Sequence, residues 1–239
     1  MPEPTLLLLP GLASDEAIWR DQLPPLRARG LPVQVSDAHA RCATLPEMAA
    51  ALLAEHAGPL LLIGTSMGGM LAFELLRQAP QRVRAMALLG SSARADTPEQ
   101  IALRSNAIPL FESGRMDEVL RANVLFAFHP SRSGDRALVE DYLAMIGRAG
   151  PAQLVRQNRA VMARPDSRPL LPHIRCPVLV ACGDADLLTP PECSREISAA
   201  VPGARFELIA DCGHLLTMER PAAVNALLAD WLDGISGQH

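Results

Sequence analysis

The sequence predicts an α/β fold: a mostly parallel sheet of about six strands, flanked by helices and interrupted once by a helical insertion. Three observations predict it. Short continuous apolar runs bounded by turn residues recur along the chain, the pattern of strands buried on both faces. Helix-length segments alternate with these runs, which implies βαβ units and a parallel sheet. From about residue 91 to residue 171 the alternation stops, and only amphipathic helical patterns remain. A chain of 239 residues suits one domain of this class and buries about 70–75% of its unfolded surface.

Thr5–Leu9 is the first strand, ending in Pro10-Gly11. Glu16–Arg29 reads as a helix and Val33–Val35 as a short strand. Leu45–His56 is helical, Leu60–Gly64 is a strand, and Met67–Ala79 is a helix closed by Pro80. Val83–Leu89 is the fourth strand. The following segment is broken by Gly114, Gly134, the run Gly147 to Pro151, and Pro165, so it reads as several helices forming a cap. Val178–Gly183 resumes the sheet, Glu192–Val201 is a helix, and Phe206–Ala210 is the sixth strand. Ala222–Leu232 closes the fold, with Pro221 suited to a helix's first position. The expected organisation is one domain, with its core in 1–90 and 172–239 and the cap at about 91–171. The tail, Gly234–His239, is expected to fray.

Composition excludes several classes. Charged residues are 20% and hydrophobic residues 49%, so the chain is not disordered. The 22 basic residues, all arginine, against 26 acidic ones give a net charge of −4. That argues against a nucleic-acid partner. No apolar run approaches the ~18 residues of a membrane span. Leu6–Leu9 follows Glu3 and is too short for a secretory signal, so a cytoplasmic location is expected. Five cysteines without a CxxC pair suggest free thiols rather than a disulfide framework or a zinc site. No metal or organic cofactor is expected. The expected partner is a small-molecule substrate, bound by a monomer or homodimer.

The chemistry centres on Gly64-Thr65-Ser66-Met67-Gly68, which ends an apolar strand and opens a helix. In that context G-x-S-x-G is a nucleophile elbow. Serine needs a base, and the base needs an orienting acid. Gly213-His214 follows the sixth strand and supplies the candidate base, His214. Gly183-Asp184-Ala185-Asp186 follows the fifth and supplies the acid, with Asp186 favoured over Asp184 and Asp211. His39, His56, His129, His173 and His239 read as surface or core residues. A developing oxyanion needs two N–H donors. The Met67 amide is one candidate, and the Leu12 amide, with Ala13 as its alternative, is the other.

These motifs together resemble the α/β-hydrolase fold superfamily, in the form of a serine hydrolase with a helical cap. The matching pieces are Leu9-Pro10-Gly11 with Trp19, Gly64 to Gly69, Gly183 to Asp186 with Pro190, and Gly213-His214 with Glu219-Arg220-Pro221. The resemblance implies the triad Ser66, Asp186 and His214, and a carboxylic ester, thioester or lactone as substrate. It also leaves open carbon–carbon bond hydrolysis, a menaquinone-type lyase reaction, or a non-catalytic ligand-binding or signalling role. The chain departs from many relatives in carrying Pro10 where they have histidine, and in lacking glycine across Ser36–Arg41. Candidate pocket-lining residues are Phe111, Phe126 and Phe128, with Met116 and Met145. Arg104, Arg121 and Arg132 are candidates to receive a carboxylate.

Overall fold

A computed structural model of the chain describes residues 3–236. Six strands form one parallel sheet: β1 (Thr5–Leu9), β2 (Val33–Val35), β3 (Leu60–Thr65), β4 (Val83–Leu89), β5 (Val178–Gly183) and β6 (Arg205–Ile209). Their order is β2-β1-β3-β4-β5-β6. The alternation expected of pleated strands divides the apolar runs between two cores. Leu6, Leu8, Leu61, Ile63, Ala87, Leu89 and Leu179 face one side. Leu7, Leu9, Leu60, Leu62, Met86, Leu88 and Val180 face the other. Every one of these is buried, which is why the runs show no polar alternation in sequence.

The helices are α1 (Leu23–Arg27), α2 (Ala38–Arg41), α3 (Leu45–Glu55), α4 (Met67–Gln78), α5 (Pro98–Glu112), α6 (Met116–Ala127), α7 (Arg136–Met162), α8 (Pro191–Ala200), α9 (Leu216–Glu219) and α10 (Pro221–Ser236). α5, α6 and α7 lie between β4 and β5, where the sequence places the cap. Gly150, at φ 72° and ψ 170°, breaks α7 into two segments. The cap shares the first core: Phe111, Leu120, Phe128, Tyr142 and Leu154 pack in the same cluster as Leu8 and Ile63.

Two expectations are corrected. Glu16–Arg29 is not one helix but a 3-10 turn, Glu16–Trp19, followed by α1. Pro24 and Pro25 have no amide hydrogen to give, so they fit only a first turn and start a new helix at Leu23. α2 and α9, each 4 residues long, add to the helices the pattern predicts. The last helix runs on through Ser236 where fraying was expected, and residues 237–239 lie outside the described residues. Among the described residues no helix is long and apolar enough to cross a membrane.

The chain leaves β1 outward to β2 and returns to β3 on the other side of β1. The connection reverses direction there. Loops following β1 and β3 therefore part at the sheet's carboxyl edge, the position where open parallel sheets bind ligands.

Candidate active site

β3 delivers Ser66 to that edge. Ser66 sits at φ 50° and ψ −115°, between the end of β3 and the first residue of α4. This is left-handed backbone for a non-glycine residue, a conformation that costs of order 1–3 kcal/mol and persists only where the surroundings impose it. The surroundings are glycines. A Cβ on Gly68 would lie 1.9 Å from the Leu9 carbonyl oxygen, and one on Gly64 2.5 Å from the Gly68 carbonyl carbon. Strand and helix approach this closely only without those side chains. The Ser66 amide donates to the Leu89 carbonyl (2.9 Å), and the Ser91 hydroxyl donates to the Ser66 carbonyl (2.8 Å). Both anchor the turn from β4, and Gly69 leaves room for Ser91, whose Oγ would stand 2.4 Å from a Cβ there.

The loops after β5 and β6 bring Asp186 and His214, the candidate acid and base, together. His214 Nδ1 lies 2.8 Å from Asp186 Oδ2. Asp186 is 1% exposed and accepts further bonds from the Leu188 and Thr189 amides and the Thr189 hydroxyl, each 2.9 Å. These donors hold the carboxylate ionised. Burial pushes its pKa up, but the charge and hydrogen bond of His214 and the Thr189 donors outweigh it, so the group stays below its ordinary value. For His214 burial acts downward and the Asp186 charge and hydrogen bond upward, with the balance upward. An ionised Asp186 fixes the hydrogen on Nδ1 and leaves Nε2 as the free acceptor.

The rival acids have other work. Asp184 accepts from the Asp211 and Cys212 amides (3.1 and 3.0 Å), tying the turn after β6 to β5. Asp211 is at φ 50° and pairs with Arg220 at the surface. Among the described residues the Ser66 hydroxyl has no hydrogen bond to His214. Catalytic contacts of this kind are commonly long in a free enzyme and tighten with substrate.

The loop after β1 lies over the serine: a Cβ on Gly11 would stand 3.4 Å from the Ser66 Cβ. Among the described residues the amides of Leu12 and Met67 have no hydrogen-bond partner, and Met67 stands at the positive end of α4. The Ala13 amide is occupied, donating to Gln157 Oε1 at 2.6 Å. Of the two candidate donors in this loop, Leu12 is the one whose amide is unoccupied among the described residues.

Two residues that sequence reasoning left without a role complete the surroundings. Glu219, 3% exposed, accepts from the Gly213 (2.9 Å), Leu215 (3.3 Å) and His129 (2.8 Å) amides. It clamps both neighbours of His214 and joins them to the cap. Gly90, at φ 56°, follows β4; a Cβ there would approach Asp186 Oδ2 to 3.2 Å.

The candidate pocket residues are dispersed. Phe111 and Phe128 are buried in the core, and the Phe128 ring meets Tyr142 edge-on at 5.3 Å. Phe128 reaches the site through its backbone, which a Cβ on Gly213 would touch at 2.6 Å. Phe126 is 52% exposed. Met145 is core and Met116 packs at its margin. Arg104 binds Asp96 and Asn158, Arg121 pairs with Glu140, and Arg132 with Asp135. His39 is buried, with Nε2 donating to the Ser14 carbonyl at 2.7 Å. The His129 ring bonds the Ser131 hydroxyl at 2.7 Å, His173 is exposed, and His239 lies outside the described residues. A cleft of about 650 Å³ between Arg77, Arg84 and Arg175 opens at the amino edge of the sheet, away from this chemistry.

The fold and the serine turn after β3 are those of an α/β hydrolase. Residues 6–227 match the model of the Alpha/beta hydrolase family, and the chain belongs to that family. Among solved structures, the chain resembles a thermophilic esterase from Thermogutta terrifontis, with 28% identity, TM-score 0.86, and coverage of 98% of this chain and 91% of the other. A Mycobacterium tuberculosis protein named as a non-heme bromoperoxidase, BpoC, is 32% identical over 177 residues. That match spans 71% of this chain and 66% of the relative's length. A pimeloyl-[acyl-carrier protein] methyl ester esterase from Neisseria meningitidis is 25% identical over 95% of this chain and 92% of its own.

Proposed function

We propose that the protein is a serine hydrolase that cleaves a small carboxylic ester, thioester or lactone through an acyl-enzyme on Ser66. The observation that carries this reading is the buried Asp186–His214 pair at 2.8 Å, on the same sheet edge as a serine in elbow conformation. The names of the relatives, an esterase and a methyl ester esterase among them, support ester chemistry.

Ser66 Oγ attacks the acyl carbon as its proton passes to His214 Nε2. The carbonyl π electrons move onto oxygen, where the Leu12 and Met67 amides meet the charge. The imidazolium, stabilised by Asp186, gives its proton to the leaving oxygen or sulfur, and the C–O or C–S bond breaks. Water then attacks the acyl-enzyme, losing a proton to His214. Collapse of the second intermediate frees the acid and returns that proton to Ser66. Asp186 remains ionised throughout.

The test is hydrolysis of p-nitrophenyl esters of C2 to C8 chains by wild type and Ser66→Ala in parallel. Ser66-dependent turnover, with a loss of several orders of magnitude in kcat on substitution, is expected. A Ser66→Ala protein of near-normal activity ends the reading.

A further inference from the structure

We infer that Gln157, a cap residue, is a positioning residue for the oxyanion loop, so that the cap sets the reactivity of the site as well as covering it. The inference rests on the serine-hydrolase reading above.

The loop Gly11–Ser14 is a tight turn, closed by the Ser14 amide donating to the Gly11 carbonyl at 3.2 Å. Its third residue, Ala13, has φ 56°. Positive φ at that position of a turn ordinarily calls for glycine. Alanine there carries a left-handed cost of roughly 1–2 kcal/mol, so something must hold it. Gln157 does. It is wholly buried, and its Oε1 accepts from the Ala13 amide at 2.6 Å while its Nε2 donates to the His39 carbonyl at 2.8 Å. An amide hydrogen on one side and a carbonyl on the other allow only this orientation of the side-chain amide. His39 continues the chain of bonds by donating to Ser14.

Without the Gln157 acceptor, Ala13 has a buried, unpaired N–H and a strained φ. Both are relieved if the Leu12–Ala13 peptide turns over. The turn that presents the free Leu12 amide beside Ser66 then loses its shape. Gln157 touches no reacting atom in this scheme and acts through Ala13.

The test uses Gln157→Leu and Gln157→Glu beside wild type and Ser66→Ala. The readouts are kcat and KM on a p-nitrophenyl ester, the inhibition constant of a trifluoromethyl ketone, and the thermal midpoint. Removing an oxyanion donor outright costs about 10²–10³ in kcat; displacing one should cost Gln157→Leu about 10–100-fold, with KM within about twofold. The ketone, whose adduct with Ser66 carries the oxyanion, should weaken in parallel with kcat/KM. Gln157→Glu keeps an acceptor for Ala13 and should fall between Gln157→Leu and wild type, which keeps the test decisive if the leucine variant fails to fold. A folded Gln157→Leu with wild-type kcat, or a kcat loss without weaker ketone binding, overturns the inference while Ser66→Ala remains inactive. Near-normal activity in Ser66→Ala would overturn the parent reading, and this inference with it.

Discussion

Glu219→Ala isolates the clamp on the histidine loop. The substitution removes the acceptor of three amides, Gly213, Leu215 and His129, in a place where the glutamate is 3% exposed. An unsatisfied buried donor costs about 1–3 kcal/mol. Some water will enter the space left, so the three together should cost roughly 3–6 kcal/mol. For a chain of this size that is a fall of order 10–20 °C in Tm. Glu219→Gln keeps one oxygen and should lose about a third to a half as much. Because both neighbours of His214 are released, kcat of Glu219→Ala should also fall about 10–100-fold, the usual cost of a small misplacement of a catalytic group. Urea unfolding followed by circular dichroism, with ester hydrolysis on the same samples, measures both. A Glu219→Ala protein within about 1 kcal/mol of wild type would show that these amides do not depend on the carboxylate. The pH dependence gives a second check. Burial raises the Glu219 pKa more than its amide bonds lower it. Across the window from the ordinary glutamate value to this raised one, the folded state holds a proton that the unfolded state releases. Stability contributed by this group therefore declines as pH rises through that window, and Glu219→Gln should lack the decline.

Three further outcomes are expected. Asp186→Asn should lower kcat by about 10⁴-fold, as the acid's loss does in the serine-protease triad, whereas Asp184→Asn should mainly lower Tm; the reverse pattern would reassign the acid. The acid limb of kcat/KM should lie above the ordinary histidine value, because Asp186 holds the His214 pKa up, and a pH profile with its limb below about 6.5 would contradict that. Gly68→Ala should not fold normally, since its Cβ meets backbone at 1.9 Å, while Gly147→Ala, exposed on α7 with nothing within 4 Å, should be neutral or stabilising by about 0.4–1 kcal/mol; equal thermal midpoints for the two would refute the close-packing argument.

What was readable in the chain follows the range of the forces involved. The strands were legible almost to the residue because burial on both faces leaves a continuous apolar run between turn residues. Ser66 and His214 were legible because glycines beside them record close backbone approach: Gly64, Gly68 and Gly213 each face backbone within 2.6 Å of where a Cβ would be. Asp184 and Asp186 share a motif, and only the fold distinguishes the one aimed at the turn after β6 from the one aimed at His214. Gln157 left no local signal. A glutamine on a helix reads as a solvated residue, and its partner lies 144 positions upstream. The aromatic candidates failed to mark a pocket because apolar spacing identifies a buried face without saying what it is buried against.

The two outer strands carry features that discourage strand-to-strand pairing between molecules. β2 is only 3 residues long, too short to template another chain. β6 carries Arg205 and Glu207, with Arg205 also paired to Asp230, and Arg195 lies over the Phe206 ring. A second chain laid against β6 would have to displace those charges to reach the backbone, a common defence of exposed sheet edges. The sheet can therefore be almost wholly aliphatic inside without becoming a seed for fibres, and any self-association should proceed through helical surfaces.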